Sequence, residues 1–455
     1  MSSATHERAS VFQAIKIAPE TTPGTAPSSG YKKLTALGMT PTINATVKAY
    51  RPAGQKYTTV TALNREDSTW SLDGMPTFTE IVYPLSSVLT EAAITAAGGT
   101  TAADAGSRVM GADGTHWFFK PSAADADAPV SFTAYKGSIV AAERATFLRV
   151  GDFTITFNRS DSTLSGSAMA RALEADQHMP GNEVQQIAVN ATGGTYTITY
   201  AGQTTSAIAY NASAATVLAA LEALSNIPTG ALRVTQTVAT SPAFTYTIEF
   251  GGSLGETNVA AVTTNVGSLT GGTGAATVTT VTAGAAVSAI SLTPILPTQV
   301  CIYAFSSAQA SISTTTNETD TYKLFDVMEV SFSVASRYSP YYVLDCAQSS
   351  FSTLVEMPPT VQLVTKMQAN SEGLAYLTQL RNSGTVFFRV KAVGATISSA
   401  EEYEFTLDFA GKVMSASELS DSDGVYAVTW TWTAVPALTN GGPLEIAVVN
   451  NVTAL

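Results

Sequence analysis

Three histidines, His6, His116 and His178, and two cysteines, Cys301 and Cys346, are this chain's whole supply of the side chains most used as bases, nucleophiles and soft metal ligands. They are scattered. His116 stands beside Trp117 on an expected strand and reads as packed or edge-exposed rather than as half of a nucleophile–base pair. The cysteines have no second Cys or His at zinc-ligand spacing and read as buried free thiols. Glu401, Glu402 and Glu404 offer carboxylates for glycosidic chemistry, but neighbours on a strand alternate faces, so a solvated edge accounts for them better. Gly271-Gly272-Thr273-Gly274 lacks the Lys-Ser/Thr of a phosphate-binding loop and suits a hairpin turn. Asp421, Asp423 and Gly424 start like a calcium loop without its later ligands, as a β-turn does. No catalytic, cofactor or metal site is therefore expected, and the chain does not read as an enzyme.

Composition narrows the remaining classes. The 455 residues are 45% hydrophobic, enough for packed cores in about three units. Only 13% are charged, with 35 acids against 23 bases and a net charge of −12, which argues against a protein that grips nucleic acid through clustered Lys and Arg. The first ten residues carry charges with no apolar run behind them, and no 18-residue apolar stretch follows. A soluble chain made in a cytoplasm, without membrane contact, is the expectation.

The elements that would position any site read as mainly β. Residues 1–33 form an N-terminal arm. From 34 to 63 apolar and polar residues alternate, with turns at Pro41, Pro52 and Gly54, as in half-buried antiparallel strands. Residues 78–89 change to helical spacing through Phe78, Ile81, Val82, Leu85 and Leu89, so one short helix is expected against the sheet. A loop at 92–106 precedes strands at 115–120, 130–135, 145–150, 153–158 and 164–170, which complete a first unit over 34–180. Composition then changes: residues 183–284 hold four acids, one base and 22 threonines, and 181–286 reads as a separate Thr/Gly-rich module. Within it, strands are expected at 195–200, 232–238, 244–250 and 276–281. A helix at 214–224 has Asn211 or Ser213 as its cap.

In the last unit, 287–455, charges return and so does an earlier pattern. Met328, Val330, Phe332 and Val334 oppose Glu329, Ser331 and Ser333, and helical spacing follows at 373–380. Val386-Phe387-Phe388-Arg389 is similar to Trp117-Phe118-Phe119-Lys120. Phe405-Thr406-Leu407-Asp408-Phe409 matches Phe153-Thr154-Ile155-Thr156-Phe157 in residue class. A two-fold internal repeat interrupted by the module is the simplest account. In these strands an oily face opposes a polar one: Val428, Trp430 and Trp432 against Thr429, Thr431 and Thr433. That periodicity fits an ordinary sandwich with a solvated outer face, and equally a wall between core and water.

Glu20-Thr21-Thr22-Pro23-Gly24-Thr25-Ala26-Pro27, followed by Gly30-Tyr31-Lys32-Lys33-Leu34, resembles the opening of the major tail (tail tube) proteins of long-tailed bacteriophages, of the siphophage type. The order of Trp70-Ser71-Leu72-Asp73-Gly74, the helix at 78–89, Trp117-Phe118-Phe119-Lys120-Pro121, Phe132-Thr133 and residues 153–171 is similar to that family's strand, helix and strands. Residues 193–198, 210–217 and 221–224 resemble an Ig-like decoration module of phage and bacterial surface proteins.

The resemblance implies two tail-tube-like β-sandwich or barrel units with short packing helices, plus the inserted Ig-like module. It implies a structural virion protein of a non-contractile tail, made in the bacterial host cytoplasm. Its units would associate edge to edge into rings with a continuous inner β-barrel. The rings would stack into a tube that conducts DNA, which passes without sequence-specific binding. Two units per chain would make a trimeric, pseudo-hexameric ring, with a hexamer as the rival. Tape-measure and tail-end proteins are the further partners implied. Thr154, Thr156, Thr406, Asp408, Thr429, Thr431 and Thr433 are the candidates for an acidic, threonine-lined lumen, with the module projecting outward and loops such as 92–114 reaching the next ring. The other class open to the residues themselves is a secreted or cell-surface β-sandwich adhesin or carbohydrate-binding protein, against which the missing export signal counts.

Overall fold

The computed structural model describes residues 13–90, 115–305, 318–344, 349–397, 401–422, 424–439 and 441–455; the loop expected at 92–106 lies outside them. Among the described residues the chain is mainly β, with 53% in strands and 9% helical.

The N-terminal arm supplies β1 (Ala14–Pro19) and β2 (Lys32–Lys33). Next comes a long hairpin of β3 (Leu37–Tyr50) and β4 (Val60–Gly74), in register from Leu37 opposite Gly74 to Tyr50 opposite Val60. Only the hairpin's base carries an apolar stripe that reaches the core, through Leu37, Met39, Trp70 and Leu72. α1 (Val82–Val88) is buried along its whole length and has no side-chain N-cap. Its end is held from outside: Arg337 donates to the carbonyls of Val88 and Leu89, both at 3.1 Å, satisfying acceptors that a helix terminus leaves open. β5 (Thr115–Phe119), β6 (Phe132–Gly137), β7 (Ala142–Asn158) and β8 (Ser162–Ala170) follow. The two strands expected at 145–150 and 153–158 are thus one strand. A register shift between Val150 and Asp152 carries the chain through Gly151 without breaking the ladder.

The module is built from β9 (Val184–Asn190), β10 (Gly193–Tyr200), β11 (Gln203–Thr204), β12 (Ile208–Ala209), α2 (Ala214–Glu222), β13 (Leu232–Thr240), β14 (Ala243–Phe250), β15 (Thr263–Thr270) and β16 (Ala275–Thr282). They make two four-stranded sheets: β13-β14-β9-β16, and β11, β12 and β15 arranged around β10. The module has its own core, in which Ile187, Tyr196, Ile198, Val217, Leu221, Tyr246 and Ile248 are buried, separate from the main one. Of the two expected caps Ser213 serves, its side chain accepting from the Thr216 amide.

The last part of the chain gives β17 (Val300–Phe305), β18 (Val327–Ala335), β19 (Tyr338–Tyr341), β20 (Thr353–Glu356), β21 (Thr360–Gln368), α3 (Ser371–Asn382), β22 (Thr385–Thr396), β23 (Glu402–Ala416), β24 (Ser420–Ser422), β25 (Val425–Ala434) and β26 (Leu444–Asn450). α3 is capped by Asn370, which accepts from the amides of Glu372 and Gly373.

One pairing order occurs twice. In the first half it is β3-β4-β8-β7-β6-β1, in the second β18-β21-β25-β23-β22-β17, every contact antiparallel and a helix following the second strand in each. β18 also pairs with β7, joining the halves into one 16-stranded sheet. This sheet folds over itself. One layer runs β3-β4-β8-β7-β18-β21-β25 to the end of β23; the other runs β5-β26-β23-β22-β17. Between the layers lies the main core, where Trp432 meets Phe388 at 4.7 Å and Tyr376 of α3 at 5.1 Å between ring centres. The residue match read from the sequence joins the equivalent strands β7 and β23 but not equivalent stretches of them. Phe153 to Phe157 lie in the first layer, Phe405 to Phe409 in the second, and the Phe157 and Phe405 rings meet across the core at 6.2 Å.

Candidate functional site: a hydroxyl-lined sheet face

Side chains alternate across a strand, so burying Phe153, Ile155, Phe332, Leu363, Trp430 and Trp432 on one face of the first layer sends their neighbours to the other. Because the strands are in register, those neighbours form rows. One row runs through eight strands: Gly38, Asp73, Ser165, Thr154, Ser333, Gln362, Thr433 and Lys412. A second runs Thr163, Thr156, Ser331, Val364, Thr431 and Ser415, with the Thr156 and Ser331 hydroxyls hydrogen-bonded at 2.8 Å. A third runs Asn158, Glu329, Lys366 and Thr429, and a fourth Thr40, Ser71, Ser167 and Asp152.

Five of the seven sequence candidates, Thr154, Thr156, Thr429, Thr431 and Thr433, lie half-buried on this face. Thr406 and Asp408 do not join them. They sit on β23 in the opposite layer, facing away from the core between the sheets, and both are buried. Asp408 takes Nε and Nη2 of the buried Arg389, each at 2.7 Å; Glu318 pairs with Arg389 at 3.1 Å and with Lys391 at 2.9 Å. Burial pushes the Asp408 carboxyl up from the usual range, and Arg389 opposes that rise. Such a charge is spent inside the chain. One surface therefore cannot carry all seven residues, because the matched pentapeptides belong to opposed sheets.

The face also differs in charge from the acidic lining expected. Its rows carry Asp73, Asp152 and Glu329 against Lys366 and Lys412, nearly balanced among many hydroxyls. Asp152 is tied down by the Ser167 hydroxyl at 2.6 Å and the Ser336 amide at 2.9 Å. Neither described histidine lies on the face: His116 approaches Glu401 and His178 approaches Glu249. These hydroxyls donate and accept hydrogen bonds, as those of Thr156 and Ser331 do with each other. What the surface offers is uniform, weakly charged hydrogen bonding to water or to a passing solute.

Sequence reading misses Gln362 and Lys366 because β21 was not among the expected strands, although Val361, Leu363, Thr365 and Met367 alternate with them as plainly as in β25. Ser165 and Ser167 alternate on β8, a strand that was expected, but their exposure follows only from the pairing of β8 with β4 and β7.

The module is anchored away from these rows. Lys16 of β1 donates to the Pro180 carbonyl at 2.6 Å and pairs with Glu256 at 2.7 Å. The fully buried Glu249 accepts from the Met179 amide, the Asn182 side chain and His178. Gly251 packs so closely on Ile139, beside the turn joining β6 to β7, that a Cβ there would lie 2.4 Å from it.

No protein-family model matches this sequence, and no curated protein matches it.

Proposed function

We propose that the chain is a structural subunit that self-associates into a tube with the hydroxyl-lined face inward, as a tail tube protein of a long-tailed phage does, and that the bore conducts DNA. The carrying observation is the row from Asp73 to Lys412, which crosses both halves without interruption over a continuous apolar core. A polyanion gliding through such a bore meets hydrated hydroxyls and a near-balance of charge. It finds neither the cationic clusters that would hold it nor an acidic field that would repel it. In this reading each half is one tail-tube-like unit, three chains complete a pseudo-six-fold ring, and rings stack. The Ig-like module, rooted on β1 and the β6–β7 turn, decorates the outside. Tape-measure and tail-end proteins are the partners within the virion.

Negative-stain electron microscopy of concentrated protein, with mass photometry on the same sample, tests this. Rings or tubes with a central hole and masses at multiples of three chains are expected. A uniform monomer at every concentration, even when seeded with phage tail extract, overturns the proposal.

A further inference from the structure

The first layer ends in two strands that, among the described residues, pair on one side only. β3 pairs with β4 alone, and β24 pairs with β25 alone. β24 continues the line of β23 along β25, which pairs with β23 through Trp430 and Ala434 and with β24 through Val425 and Ala427. Together β23 and β24 hold the place in the second half that β7 holds in the first. The chain already contains one junction of this kind. Phe153 to Asn158 of β7, the fourth strand of the first half's order, pair with Val334 to Glu329 of β18, the first strand of the second. β3 is the first strand of the first half, so it stands to the end of the second half as β18 stands to β7.

The two free ends also complement each other chemically. Ile43, Val47 and Tyr50 are exposed on β3; Met414 near the end of β23, Leu419 beside β24 and Tyr426 opposite it are exposed at 62%, 57% and 72%. Residues 47–63 of the hairpin carry Lys48, Arg51 and Lys56 and no acid, whereas Asp421 lies in β24 and Glu418 just before it. An open strand edge with apolar flanks is a template for another strand.

We infer that β3 of one copy pairs antiparallel with the β24 edge of the next, so that the contact between copies repeats the β7–β18 junction inside each copy. The inference rests on the assembly proposed above and names the strands that carry it. Every copy then offers one edge and accepts the other. That is a head-to-tail contact, which closes into a ring or runs on as a helix according to the rotation between copies.

Disulfide trapping tests the register. In a chain carrying Cys301→Ser and Cys346→Ser, Thr42→Cys or Asn44→Cys is combined with Ser420→Cys or Ser422→Cys; these sites lie outside the core. After assembly and mild oxidation, at least one combination is expected to give a ladder of disulfide-linked multimers on a denaturing gel, while each single-cysteine chain gives none beyond a dimer. Rings or tubes that form without a ladder from any of the four combinations overturn the pairing and leave the assembly reading standing. A chain that stays monomeric before oxidation overturns both.

Discussion

Each half of the molecule starts with two antiparallel strands joined by a long excursion, and the two excursions have opposite fates. In the second half part of the segment between β18 and β21 lies on its own chain, although Tyr341, Val343 and Leu344 within it are exposed. Phe351 and Tyr338 are buried, Phe351 against Phe147 at 5.6 Å between ring centres, and the Tyr338 hydroxyl donates to the Ser87 carbonyl at 2.7 Å. Tyr342 reaches back to Asp67 at the base of the first excursion. That first excursion, the outer part of β3–β4, stands in solvent with Ile43, Val47, Tyr57, Val60 and Leu63 uncovered. The same difference separates the strands beneath them, since among the described residues β18 is paired on both sides and β3 on one. One junction of this kind is satisfied within the chain, between β7 and β18, and in the proposed assembly a second copy satisfies the other.

Substitutions sharpen this contrast. Phe351→Ala removes a buried ring from the covered excursion and is expected to destabilise the chain by about 3–5 kcal/mol, read as a fall in chemical denaturation midpoint. High pH acts on the same excursion. Burial holds Tyr338 up to about 12, against 10 for a free tyrosine, so its contribution to stability is complete below pH 10 and is lost as pH rises from 10 towards 12. Denaturation midpoints measured across that interval should fall, and fall less steeply in Tyr338→Phe. A smaller effect, about 1 kcal/mol, is expected from Thr156→Val, which leaves the Ser331 hydroxyl without its partner on the polar face. Smallest is Tyr57→Ala in the uncovered hairpin. It should leave the dissociated chain within about 0.5 kcal/mol of its parent, and a loss comparable to that of Phe351→Ala would mean that this hairpin is covered within its own chain after all.

Legibility in the sequence follows the same physics. Strands with one wet face announce themselves: Val428, Trp430 and Trp432 alternate with threonines, and β25 is where they place it. α2 was readable from its apolar stripe and from Ser213 ahead of it. β26 was not, because Leu444 to Asn450 are buried on every residue and have no period to detect. β7 reads as two strands because it changes partners along its length, pairing with β6 in its first part and with β8 and β18 beyond. The polar face was half legible. Alternation identifies Thr154, Thr156 and Thr429 as facing away from apolar neighbours, but it cannot say which layer a strand joins, and so it grouped them with Thr406 and Asp408. Only the pairing partners separate the two sets. Arg389, whose ion pair absorbs Asp408, lies 19 positions away in sequence and gives no local signal.

The central claim is that the hydroxyl-lined face becomes an inner wall when copies join. Electron cryomicroscopy of the assembled protein tests it most directly. The account predicts a closed ring or tube with Thr154, Thr156, Ser331, Thr431 and Thr433 lining the bore and the module outside. An assembly in which that face points to the exterior, or is buried against another copy, would contradict it.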